Sequence, residues 1–175
     1  MDIKIITVDT KSDLKKFIKC QWDFYAGDKN FVPPIIADRM KLLNEEKNPF
    51  FHHSDIKHFL AYDKDEIVGR ISAIENRRHN ELHNDKIGFF GFFECINNQK
   101  TANALFYTAE NWLKEKGLEH SRGPVNPSMN DEIGLLIEGF DSPPVALMTY
   151  NPPYYADLIE KAGYTKEKDL YAYKL

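Results

Sequence analysis

Glu94 stands next to the end of an apolar stretch, Ile-Gly-Phe-Phe-Gly-Phe-Phe-Glu-Cys, that runs from Ile87 to Cys95. A carboxylate among aromatic and aliphatic neighbours is poorly hydrated, and such a group suits a proton acceptor working near neutral pH. The plainer reading is a carboxylate that faces solvent at the end of a strand or pairs with Arg122 or another cation. Directly afterwards, Ile96-Asn97-Asn98-Gln99-Lys100 forms a polar link into an amphipathic run. A buried strand that turns into a helix aims several free backbone N–H groups at one spot, with the positive end of the helix dipole behind them. That is the chemistry of an anion site. Further on, Asn126, Ser128, Asn130, Asp131 and Glu132 cluster in a polar segment whose acids suit a cationic amine. In the plainer reading, Leu135, Leu136, Ile137 and Phe140 cover the core there while the polar residues face water. Tyr154 and Tyr155 follow Pro152-Pro153 and offer two hydroxyls. Tyrosines in such a place more often pack with the hydroxyl on the rim.

The elements that must position these groups can be read from spacing. In an extended strand, Phe89, Gly91 and Phe93 point one way and Phe90 and Phe92 the other, so both faces must be covered. Each buried Phe is worth roughly 1.5–3 kcal/mol, which makes this strand the core of the fold. Behind it, Ala102, Leu105, Phe106, Ala109, Trp112 and Leu113 draw one helical stripe, and Gly117 stands where a left-handed cap belongs. Upstream, the pattern predicts a strand over 3–8 and a helix opened by the capping box Thr10-Lys11-Ser12-Asp13 and closed near Gly27. Next come an extended piece at 30–34, a helix over 36–43, and a hairpin of strands 58–62 and 67–74. Residues 76–85 read as a polar linker. Downstream, the expectations are a strand over 118–125, an irregular insertion over about 126–144, a strand over 145–150, a helix over 154–162 and a last strand over 169–175.

Gln99-Lys100-Thr101-Ala102-Asn103-Ala104 resembles the acetyl-CoA pyrophosphate turn of the GNAT family of N-acetyltransferases, whose pattern is Gln/Arg-x-x-Gly-x-Gly/Ala. The order of strand, two helices, hairpin, central strand and helix is similar to that of the family. The resemblance implies one α+β domain over 1–175, with a mixed, mostly antiparallel central sheet, helices on both faces and a splayed pair of central strands. It implies acyl transfer from acetyl-CoA, as co-substrate, to an amine of a small molecule or peptide. In that setting Phe92, Phe93 and Cys95 lend backbone groups to the pantetheine arm. Gln99, Lys100, Thr101, Ala102, Asn103 and Ala104 cradle the diphosphate. Glu94 is the base, Tyr154 and Tyr155 stand nearest the role of acid, and Asn126, Ser128, Asn130 and Asp131 face the acceptor.

The sequence departs from the family at three points: Ala102 replaces the first Gly, Ile159 stands where a Tyr acid is common, and only one closing strand is apparent. These departures imply a second reading, a degenerate module that binds CoA weakly or not at all. It would act through an open C-terminal strand edge, on a second copy or a partner domain. The chain also resembles the first half of longer bacterial proteins built from two GNAT-like units.

Composition sets the remaining bounds. The 175 residues are 42% hydrophobic and 29% charged, and 27 acidic against 23 basic side chains give −4. That balance shows no basic face for nucleic acid, and the apolar runs are too short to cross a bilayer. Cys20 and Cys95 lack metal-ligand spacing, and His79-Asn-Glu-Leu-His83 is not the His-Glu-x-x-His order of a zinc site, so no metal is expected. A reduced, cytoplasmic setting is the simplest expectation for two unpaired cysteines.

Overall fold

A computed structural model of the chain describes residues 1–173. Five strands form one sheet in chain order: β1 (Ile3–Thr7), β2 (Ser54–Asp63), β3 (Glu66–Asn76), β4 (Ile87–Cys95) and β5 (His120–Arg122). The first four pair antiparallel in sequence, whereas β5 runs parallel to β4. Every residue of β4 is buried, as expected of a strand covered on both faces.

Helices supply the cover. Thr10 opens α1 (Lys11–Lys19) by accepting the Asp13 N–H at 3.1 Å and donating its hydroxyl to the Asp13 carboxylate at 2.6 Å. The helix breaks at Cys20 and resumes as the single turn α2 (Gln21–Phe24), and α3 (Ile36–Leu42) packs beside α1. On this side Phe17, Ile18, Leu43, Phe89 and Phe92 share one apolar cluster. On the other side α5 (Gln99–Glu115) and α6 (Tyr155–Lys161) enclose Phe90, Phe93, Phe106, Leu113 and Leu158.

Those memberships show that β4 does not alternate strictly, contrary to the sequence expectation: Phe89 and Phe92 share one face, Phe90 and Phe93 the other. The cause is a β-bulge. Ser72 pairs with Gly91 and Arg70 with Glu94, which leaves one extra residue in β4, and Phe92 takes a left-handed φ of 50°. A non-glycine residue there costs on the order of 1–3 kcal/mol, offset here by burial of the ring and a bond to its N–H.

Three segments differ from expectation. The linker at 76–85 contains a helix, α4 (Arg77–His83), whose N-terminus is capped when Asn76 accepts the His79 N–H at 3.1 Å. None of its residues is buried, so no apolar stripe marks it in sequence. Residues 145–150 form no strand; side-chain bonds hold the region as a loop, with the Tyr150 hydroxyl donating to Asp28 at 2.7 Å. The described part of 169–175 is also irregular and exposed, while Lys174 and Leu175 lie outside the described residues. An open strand edge for a second copy or partner domain is therefore absent from the described C-terminal residues. The tail is tied to β5 by Arg122–Glu167 at 2.6 Å and Tyr164–Ser121 at 3.0 Å instead of by a backbone ladder.

Candidate functional site

β4 and β5 pair only from Ile87 to Phe89, and beyond that point the chain turns aside into the hairpin β6 (Val125–Asn126) and β7 (Glu132–Ile133). Beside the bulge, between these segments and α1 to α3, lies a pocket of about 50 Å³. That is room for a few non-hydrogen atoms. Its walls include Phe17, Leu43, Phe92 and Leu135, and its polar lining includes Gln21, Arg39, Arg70, Glu94, Asn126 and Glu132.

Glu94 sits 4% exposed at the floor. Gln21 donates to its Oε1, and Arg70 Nη2 lies 3.4 Å from that same oxygen. Tyr25 and Tyr155 donate to Oε2 at 2.9 and 2.7 Å. A carboxylate has about four lone-pair positions, so all of them are taken. Burial, with the carboxylate beside it, pushes both phenols well above their ordinary value, which keeps them as donors. Burial likewise pushes the Cys95 thiol up to about 12, so it is no nucleophile at neutral pH.

Glu132 stands differently. Its side chain is 24% exposed at the pocket wall, one oxygen pairs with Arg39, and the other accepts from Asn126 Nδ2 at 3.3 Å. Two acceptor positions remain.

The groups along the open side of β4 are also engaged. The Phe92 N–H donates to Asn126 Oδ1 at 2.6 Å, the Cys95 N–H to the Tyr155 hydroxyl at 2.9 Å, and the Cys95 carbonyl accepts from the Tyr154 hydroxyl at 2.9 Å. At the start of α5, Asn98 Oδ1 takes the Thr101 N–H at 3.0 Å and its carbonyl takes that of Ala102. Gln99 donates to the Leu158 carbonyl at 2.9 Å and to Asn103 at 2.8 Å, and Lys100 reaches the Met1 carbonyl at 2.8 Å. Ala102 is fully buried in the core.

No family model matches the chain. Two curated proteins do: a bacterial ceramide synthase of Caulobacter vibrioides, 39% identical over 99% of this chain and 45% of that protein, and Protein YghO of Escherichia coli, 40% identical over 93% and 42%. The chain thus spans less than half the length of these curated relatives. Among solved structures, an aminoglycoside acetyltransferase from an uncultured soil metagenomic sample, in complex with sisomicin, superposes with a TM-score of 0.58 at 18% identity, over 99% of this chain and 95% of that one. A tandem GNAT protein from the clavulanic acid biosynthesis pathway gives 0.56 at 11% identity, over 93% of this chain and 43% of that one. The chain has the GNAT fold.

Within that fold, the groups expected to hold acetyl-CoA do not fit the ligand as they stand. Phe92 and Cys95 offer their backbone to Asn126, Tyr154 and Tyr155, and the Ala102 methyl faces the core where the motif would need close backbone approach. Ala104 is half-buried on α5. Of the expected acceptor residues only Asn126 lines the pocket. Ser128 and Asp131 bond to each other at 2.5 Å in the β6–β7 turn, with Asn130 exposed between them.

Sequence reasoning passed over Arg70, Gln21, Tyr25 and Arg39 as site residues, and named Glu132 only as one acid of a polar segment. Arg70 had a signal, since an arginine inside the apolar run of β3 needs a buried carboxylate, and β4 carries one. Among the described residues no group of His, Cys, Asp and Glu could hold a metal ion, and no helix is long and apolar enough to cross a membrane.

Proposed function

We propose that the chain is a GNAT-fold unit of an acyl-CoA-dependent N-acyltransferase, and that its pocket seats the amine that receives the acyl group. The observation that carries this reading is the balanced lining: Arg39 with Glu132 and Arg70 with Glu94, between the apolar walls of Phe17, Leu43 and Leu135. Paired charges and apolar walls suit a head group with an amine and hydroxyls attached to an apolar remainder. A ceramide is an amide of a long-chain amino alcohol, so the name of the Caulobacter relative points to the same class of acceptor. The enclosed volume seats the head alone.

An ammonium with a pKa near 10.4 must lose a proton before it can attack a thioester. Glu132, which lines the pocket and keeps acceptor positions beyond those taken by Arg39 and Asn126, receives that ammonium. Glu94, saturated by its donors, fixes the floor against which the head group rests.

A second reading makes Glu94 the base and Tyr155 the acid, and their 2.7 Å contact favours it. It requires Glu94 to shed a donor first.

Photolabelling tests the location. A long-chain amine carrying a photoreactive group near its head should label peptides spanning Arg39 to Leu43 or Glu132 to Leu135. Labelling confined to other peptides would overturn the assignment.

A further inference from the structure

An extended pantetheine arm binds along a strand as an added strand would, by taking its outward N–H and C=O groups. On β4 those groups include the Phe92 N–H, the Cys95 N–H and the Cys95 carbonyl. All three are already bonded, at 2.6, 2.9 and 2.9 Å, to side chains drawn from two separate segments. We infer that Asn126, Tyr154 and Tyr155 stand in for the thioester arm, so that the wedge of this unit is closed to acyl-CoA by its own side chains.

Tyr155 and Asn126 are each tied at a second point. Tyr155 is 1% exposed, its ring packs on Phe93 with centroids 5.2 Å apart, and its hydroxyl also serves Glu94. Moving it would strip a donor from a buried carboxylate and an acceptor from a buried N–H together. Asn126 is fixed at its other end by Glu132. Below them the backbone itself closes the gap: a Cβ built on Gly91 would lie 1.6 Å from the Val125 carbonyl oxygen. Glycine is required there for close approach. At the far end of the wedge, Gln99 Nε2 donates to the Leu158 carbonyl, tying the diphosphate turn to α6. An acyl donor therefore reaches the amine pocket from outside this wedge. In proteins twice as long as this chain, the remaining half is available to hold it.

The inference goes beyond the amine assignment and stands or falls separately, because its test contains no amine. Amide hydrogen exchange is followed by NMR on the unliganded chain, with and without millimolar CoA or acetyl-CoA. The Phe92 and Cys95 amides should be protected without ligand, and added CoA should change neither their exchange nor the melting temperature. Tyr155→Phe should speed exchange at Cys95 at least tenfold while sparing Phe92, and Asn126→Ala should do the reverse. Saturable CoA binding that raises the melting temperature or slows exchange at either amide would overturn the inference. So would exchange at both amides that is fast in the unsubstituted protein.

Discussion

Arg70 and Glu94 face each other across the β3–β4 pairing, with 3.4 Å between guanidinium and carboxylate and side-chain exposures of 4% and 6%. The guanidinium also donates to the Phe17 carbonyl at 2.5 Å and lies 4.9 Å from the centre of the Phe17 ring. The carboxylate gathers Gln21, Tyr25 and Tyr155. One buried ion pair thus ties both helical layers to the centre of the sheet, beside the bulge that shapes the pocket.

Breaking this pair from one side should be costly. Glu94→Gln leaves Arg70 buried without its counter-charge, and removing one partner of a buried pair typically costs about 3–5 kcal/mol. Urea unfolding should show that loss for Glu94→Gln and for Arg70→Met. The double variant should lose clearly less than the sum, because neither charge is then stranded. Additive losses would mean that the two residues act independently.

His58 predicts a particular sensitivity to acid. It is buried between Phe17 and Phe92, bonds Ser72 through Nδ1 at 2.6 Å, and has Arg70 and Lys57 as the nearby cations. Burial first, then those two cations, pull its pKa from 6.5 down to about 3. Below pH 6.5 the unfolded chain therefore binds a proton that the folded chain does not, and stability falls as pH falls. The expected loss steepens below pH 6.5 and approaches about 1.4 kcal/mol per pH unit toward pH 5, before carboxylates titrate. In His58→Gln that slope should flatten, leaving His79, whose pKa burial also lowers, as the background. Identical slopes in both proteins would contradict the account.

The parts of this fold that were legible in sequence are those that bury a repeating pattern. The stripe of α5, the fully buried β4 and the Thr10 capping box each declare themselves within one local segment. The bulge at Phe92 does not, because it is set by Val125 and Asn126, more than thirty residues away, pressing on Gly91 and taking the Phe92 N–H. The helix α4 buries no residue and so leaves no periodic mark. The residues 145–150 have strand composition, but Tyr150 is captured elsewhere, its hydroxyl donating to the Asp28 carboxylate. The candidate site was half visible. Glu94, Tyr155 and Asn126 could be named from sequence, but Asn126 and Tyr155 spend their polar groups on β4, a matter of three-dimensional direction. Glu132 was one acid among several in a polar segment until Arg39 and the pocket wall singled it out.

The most direct test is a calorimetric titration of the chain with a long-chain amino alcohol, set beside the same molecule with a hydroxyl in place of its amine. The account predicts saturable binding of the amine at least tenfold tighter than of the hydroxyl analogue, with that preference lost in Glu132→Gln. That margin corresponds to about 1.4 kcal/mol, modest for an ammonium meeting a partly buried carboxylate. Equal affinity for the two molecules, or a preference that survives Glu132→Gln, would contradict it.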